Sequence, residues 1–156
     1  MGTRILDTPV GALILQSNNS AITRVSWADH GNPMPSGQSD RICDFAAREL
    51  QFYFSGRLKT FSVPVALDGS ALQLRVWEVM TNIPFGEVLT YGDVARDVGS
   101  GPQAVGTACG QNPIPVIIPC HRIVGAGGKL TGFSGGTGIE TKAFLLDYES
   151  GQGRLL

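Results

Sequence analysis

At Asp68-Gly69-Ser70 the hydrophobic period of the chain changes, and that change limits the folds open to it. Before this point short apolar runs alternate with turns. Ile5-Leu6, Ala12–Gln16 and Ala21–Trp27 are separated by residues 7–11 and by Ser17–Ser20, the pattern of an antiparallel meander. A polar, proline- and glycine-rich loop over 29–39, with His30 near its start, follows. Asp40 can cap a helix from Arg41 to Phe54, where Ile42, Phe45, Ala46, Leu50, Tyr53 and Phe54 recur at helical spacing and Ser55-Gly56 ends it. Cys43 lies in that helix as a core residue. Phe61–Leu67 predicts one more strand.

After the change the pattern is helical. Ala71–Asn82 puts Leu72, Val76, Val79, Met80 and Ile83 on one face, and Pro84-Phe85-Gly86 closes it. Thr90 and Asp93 form a capping box opening a helix to Val98. Gly99-Ser100-Gly101 is a turn, and Pro102 suits the first position of a helix over 102–111. Two short helices joined by a glycine turn read as a helix-turn-helix. Thr137 and Glu140 make a second box for a last helix, Thr137–Glu149, with Ile139, Ala143 and Leu146 on one face. Glu149 then stands at a helix C-terminus, where the dipole disfavours a carboxylate, and this hints at a partner elsewhere. The fold class is α+β, with a unit at 1–68 and another at 69–156.

Ile118-Pro119-Cys120-His121-Arg122-Ile123 carries the chemistry. Pro119 holds Ile118 extended, so Val116–Ile118 reads as a strand that aims the thiol from its end. A cysteine is a nucleophile as the thiolate, and a neighbouring imidazole or cation is the usual way to make one. The plain alternative is a buried structural cysteine beside a surface histidine. Glycine-rich turns at Gly125–Gly128 and Gly132–Gly136 favour the chemical reading, since they let backbone approach a ligand at a cost in folding entropy.

The three cysteines, an odd number without regular spacing, argue against a disulfide framework and for a reducing compartment. No CxxC or HxxxH pair accompanies His30 and His121, so no metal site is expected. No apolar run approaches the roughly 20 residues of a bilayer span, and no leader-like segment opens the sequence, so a soluble, cytoplasmic protein is expected. The net charge is −1, and residues 69–156 hold six Lys/Arg against seven Asp/Glu. Composition therefore does not suggest nucleic acid.

The motif does. Asn112-Pro-x-Pro-x-x-Ile-Pro-Cys-His-Arg-Ile-Val, followed by Gly132-Phe-Ser-Gly-Gly, resembles the active-site signature of the 6-O-alkylguanine-DNA alkyltransferases, also called methylated-DNA–protein-cysteine methyltransferases. The likeness runs from about Gly69 to Glu149 and is loose before it. It implies a ribonuclease H-like support domain followed by a winged helix-turn-helix-like domain. It implies Cys120 as the alkyl acceptor, His121 as its base through a water, and Glu149 as the carboxylate orienting His121. Asn112 would hold the turn before the thiol and Lys142 would brace that turn. Tyr91 would donate to the guanine and Ser134 to its 6-oxygen, within a pocket that includes Phe133, Gly135 and Ile123. The carbonyls of Cys120 and Ile123 would accept from the exocyclic amine.

The partner implied is double-stranded DNA, bound through the minor groove with the damaged base rotated out. Gln103, Ala104 and Thr107 of helix 102–111, with Arg122, would meet it. Arg122 equally reads as a structural ion-pair anchor. No cofactor, no membrane and a monomer are expected. In two respects the chain departs from the family: Gln103 stands where an arginine usually fills the gap left by the flipped base, and Cys109 stands where Met, Leu or Asn is usual. Cys109 reads as a small filler.

Three rivals differ in kind. A non-catalytic lesion binder of the same fold usually lacks the cysteine. A Cys-His-Glu hydrolase would turn over repeatedly and need an oxyanion hole. A helix-turn-helix regulator should carry base-reading side chains, whereas Gln103–Gln111 is almost all small residues.

Overall fold

The computed structural model describes residues 1–28, 37–131, 135–136 and 138–151. The chain forms two compact units, Met1–Leu67 and Asp68–Leu156.

The first unit is a three-stranded antiparallel sheet with one helix. Strands β1 (Gly2–Thr8), β2 (Gly11–Ser17) and β3 (Ile22–Trp27) pair in sequence order, the meander expected from the apolar runs. Helix α1 (Arg41–Phe54) is capped by Asp40, whose side chain accepts from the Cys43 amide. Its inward face holds Cys43, Ala46, Ala47, Leu50 and Tyr53. Phe61–Leu67 is not a strand. Ile22 makes a single bridge to Val65, through bonds to the Pro64 carbonyl and the Ala66 amide. Pro64 supplies no donor, so no ladder continues there. Glu49 holds this segment instead, accepting from the amides of Ser62 and Val63 and from the Ser62 hydroxyl. The loop residues 29–36, His30 among them, lie outside the described residues.

In the second unit, α2 (Ala71–Thr81) begins at Ser70, which forms a capping box with Gln73. The expected face is buried at Val76, Met80 and Ile83, and Trp77 joins it, its indole N–H donating to the Ala108 carbonyl. β4 (Leu89–Thr90) leads into α3 (Tyr91–Val98), where Thr90 and Asp93 form the expected box. Gly99 ends α3 with a left-handed φ of 70°, a conformation that would strain a side chain. α4 (Pro102–Gly110) then completes the helix-turn-helix, burying Val105, Ala108 and Cys109.

Val116–Ile118 is a turn rather than a strand, closed by a bridge from Pro115 to Ile118. Cys120–Arg122 is a turn of 3-10 helix, not a strand end. β5 (Ile123–Val124) follows it and pairs in parallel with β4. The last helix, α5, runs over Ile139–Gly151, and the box proposed at Thr137 lies outside the described residues. Its inward face is not the apolar one. Thr141, Lys142, Leu145 and Glu149 are buried while Ile139 is half exposed, because each buried charge has partners waiting for it inside.

Candidate active site

The segment entering the site is a chain of tight turns. Asn112 organises it: Oδ1 accepts from the Ile114 amide at 2.9 Å, and Nδ2 donates to the Ile118 carbonyl at 2.8 Å. Val116, fully buried, takes a φ of 72°, a left-handed conformation that a β-branched residue adopts only under constraint. Pro119 (φ −83°, ψ 70°) is the centre of an inverse γ-turn, in which the Cys120 amide donates to the Ile118 carbonyl. The Ile123 amide donates to the Cys120 carbonyl.

Cys120 is only 7% exposed, and burial pushes its thiol up. The Asn112 amide at the sulfur and the Lys142 ammonium oppose that rise. The resting group is therefore a thiol, and ionising it takes a base.

His121 is fully buried, with Nε2 2.8 Å from Glu149 Oε2. A carboxylate accepts, so Nε2 carries the ring proton and Nδ1 presents a lone pair. Nδ1 has no hydrogen-bond partner among the described residues. Burial holds the imidazole below the ordinary histidine range, against the pull of Glu149. A neutral ring with an open acceptor nitrogen is the form a proton acceptor needs.

Arg122 fixes the carboxylate. Nε donates to Glu149 Oε1 at 2.8 Å, Nη2 to Oε2 at 2.9 Å, and Nη1 to the Ile83 carbonyl at 2.6 Å. Its guanidinium lies over the Phe85 ring, 5.8 Å from the centroid. The DNA-contact expectation for Arg122 is overturned: it is 5% exposed and its donors are spent inside the protein. The structural ion-pair reading stands. Glu149 thus has the partners that its position near a helix C-terminus hinted at.

Tyr91 donates its hydroxyl proton to the Thr131 carbonyl at 2.9 Å. Lys142 does not brace the Asn112 turn among the described residues. Its ammonium donates to the same Thr131 carbonyl at 2.8 Å and to the Tyr91 hydroxyl at 3.4 Å, and lies 5.6 Å from the Tyr91 ring centroid. Cys109 faces this group from α4, and burial pushes its thiol up to about 12. Cys109 is a buried filler that stays protonated. The signal for Lys142 was available in its spacing, seven residues before Glu149 and so two turns away on the same helix face.

Ile123 is fully buried in β5, and Gly135 is half-buried with its carbonyl accepting from the Gly138 amide at 2.8 Å. Phe133 and Ser134 lie outside the described residues. On α4, Gln103 and Thr107 are exposed and Ala104 is half-buried, so these three lie on or beside its outward side, away from Val105, Ala108 and Cys109. No cation stands on that helix. Among the described residues no three His, Cys, Asp or Glu side chains gather as a metal site would require.

The chain matches two family models, "6-O-methylguanine DNA methyltransferase, ribonuclease-like domain" over residues 1–67 and "6-O-methylguanine DNA methyltransferase, DNA binding domain" over residues 71–151. It is 36% identical over 151 residues to the methylated-DNA–protein-cysteine methyltransferase of Methanosarcina acetivorans, covering 93% of this chain and 96% of that protein. The constitutive methyltransferase of Bacillus subtilis is 38% identical over 152 residues, with 92% of each chain covered. The crystal structure of Mycobacterium tuberculosis OGT in complex with DNA superposes with a TM-score of 0.86 at 39% identity, covering 97% of this chain and 94% of that one. With both halves matched and relatives aligned over nearly their full length, the chain belongs to the 6-O-methylguanine DNA methyltransferase family.

Proposed function

We propose that this chain repairs DNA by moving the methyl or larger alkyl group from the 6-oxygen of guanine onto Cys120, once per molecule. The observation that carries this is the buried Cys120 followed directly by a histidine whose tautomer Glu149 sets. The thiol proton passes to His121 Nδ1, through a bridging water as the family resemblance implies, and the sulfur attacks the alkyl carbon in line. A carbon–sulfur bond forms, the carbon–oxygen bond breaks, and its electron pair stays with the guanine. A proton delivered to the departing base, with Tyr91 the donor that the family resemblance implies, makes it a neutral leaving group. The thioether has no route back in this chain, so the protein is consumed by the reaction and needs no cofactor.

The partner is double-stranded DNA carrying the lesion. Its base must leave the stack to reach the sulfur, at a cost of a few kcal/mol. The outward side of α4 suits minor-groove contact, because small residues allow close approach without reading sequence. Gln103, with hydrogen-bonding capacity and no charge, takes the place beside the vacated stack. Ser134 and Phe133, with Gly135 and the carbonyls of Cys120 and Ile123, form the base pocket in this reading. Residues 1–67 serve as a support domain and the remainder as the DNA-binding and transfer domain. The reaction suits a monomer in a reducing, cytoplasmic setting, where the free cysteines stay reduced. No helix of the described residues is long and apolar enough to cross a membrane.

Intact-mass spectrometry after incubation with a duplex containing 6-O-methylguanine tests this. One methyl should appear on Cys120, with at most one equivalent per chain. Unchanged mass with retained binding would establish the non-catalytic lesion binder instead, and repeated turnover would establish a hydrolase.

A further inference from the structure

Val116 is the only β-branched residue with a positive φ among the described residues. The other non-glycine residue of that kind, Asn19, lies in the exposed turn between β2 and β3, and a short polar side chain tolerates the left-handed conformation. Val116 is branched and buried, so its φ of 72° costs free energy that the surrounding structure must offset. Glycine would take the same conformation without strain. The chain keeps valine there, four residues before Cys120.

Hydrogen bonds close a ring around this residue. The Ile114 amide donates to Asn112 Oδ1 at 2.9 Å, the Ile118 amide to the Ile114 carbonyl at 2.9 Å, and Asn112 Nδ2 to the Ile118 carbonyl at 2.8 Å. The ring begins and ends on one side chain, and Val116 stands at the middle of the arch between Ile114 and Ile118. The Cys120 amide joins the ring by donating to the same Ile118 carbonyl at 2.8 Å. Pro115, with φ fixed by its own ring, cannot share the reversal, which falls on Val116. Relaxing Val116 to a negative φ would redirect the chain beyond it and take the Ile118 carbonyl off both donors. Burial opposes that relaxation: Ile114, Val116 and Ile118 are each 1% exposed or less, so the arch is anchored from inside.

We propose that Val116 is a positioning residue for methyl transfer: its buried side chain locks the arch in the left-handed conformation, and the arch holds Cys120. Valine serves here better than glycine because a bare backbone would move in a segment whose one task is to stay still. This rests on the reading of Cys120 as the acceptor, and goes beyond it in naming what fixes the acceptor in place.

Single-turnover transfer from a 6-O-methylguanine duplex is measured over a range of DNA concentrations for wild type, Val116→Gly and Val116→Ile. Val116→Gly should lower the maximal rate about 10–100-fold, the scale of a small misplacement of reacting groups, while the half-saturating DNA concentration stays within about twofold. Val116→Ile keeps the branch at Cβ and should retain most of the wild-type rate. A folded Val116→Gly chain with the wild-type maximal rate overturns the proposal, whatever its denaturant midpoint. Amide hydrogen exchange on the same chains gives a readout that needs no DNA. In Val116→Gly the Ile118 and Cys120 amides should exchange at least about tenfold faster, with the amides of α2 unchanged. Should that variant not fold, wild type decides. Its Ile114, Ile118 and Cys120 amides should exchange at one common rate, because the ring opens as a unit, and three unrelated rates overturn the proposal. A wild-type chain that takes no methyl would sink the repair function, while the expected exchange rates would leave Val116 as the residue that holds Cys120.

Discussion

His121 and Glu149, 28 residues apart in sequence, meet through a 2.8 Å contact that solvent does not reach. The contact fixes which ring nitrogen holds the proton, and so leaves the other free to take one.

Glu149→Gln should therefore slow methyl transfer by up to about 10⁴-fold, the cost of exchanging for an amide the carboxylate that sets a catalytic histidine's tautomer. It should also lower stability, because Arg122 loses its anionic partner inside the protein. Breaking a buried pair of this kind costs about 3–5 kcal/mol. Single-turnover transfer rates and urea unfolding measure the two effects separately.

Cys120→Ala should bind a 6-O-methylguanine duplex and gain no mass. In the function proposed above, binding draws on the outward side of α4 and the base pocket, and transfer on the sulfur. A fluorescence anisotropy titration that finds binding abolished would count against a dedicated acceptor.

Asn112→Ala removes one acceptor and one donor from the turn that carries Val116 in its left-handed conformation. Leaving those backbone groups unpaired should cost about 1–3 kcal/mol. It should also slow Cys120 alkylation, since the amide no longer supports the developing thiolate. Denaturant midpoints and iodoacetamide rates report on the two.

Stability should fall as pH drops below 6.5, the ordinary histidine value, because His121 in the folded chain is held below it. The unfolded chain then binds a proton that the folded chain resists, so acid favours unfolding. The contribution is whole above 6.5 and is lost as pH falls toward the folded value. Urea midpoints across this range should slope in wild type and flatten in His121→Gln.

Gln103→Arg should tighten binding to duplex DNA and steepen its salt dependence. One added phosphate contact changes the logarithmic slope by about −0.9. Anisotropy titrations at several salt concentrations read this directly, and an unchanged slope would mean that position 103 does not reach the backbone.

Much of this molecule was legible along the chain because its determinants are local. Asp40 and Thr90 cap helices through bonds to residues three places on, so α1 and α3 could be read from neighbours alone. Gly99 and Pro102 punctuate the helix-turn-helix by their own backbone preferences. The Cys120-His121 pair declared itself because the two residues are consecutive in the chain. Segment 61–67 misled for the same reason: its apolar content suits a strand, but pairing depends on a partner edge, and only Ile22 offers one.

Helix α5 shows what the tertiary structure alone decided. Apolar spacing pointed Ile139, Ala143 and Leu146 inward, yet the buried face carries Lys142 and Glu149. A buried charge is tolerable only where partners are already in place. Those partners, Tyr91, His121, Arg122 and Thr131, come from other elements and were invisible to any window along the helix. The sequence by itself determined which helices form and which sulfur is available. Only the folded chain determined which charges surround that sulfur, because electrostatic compensation is a property of distance in space.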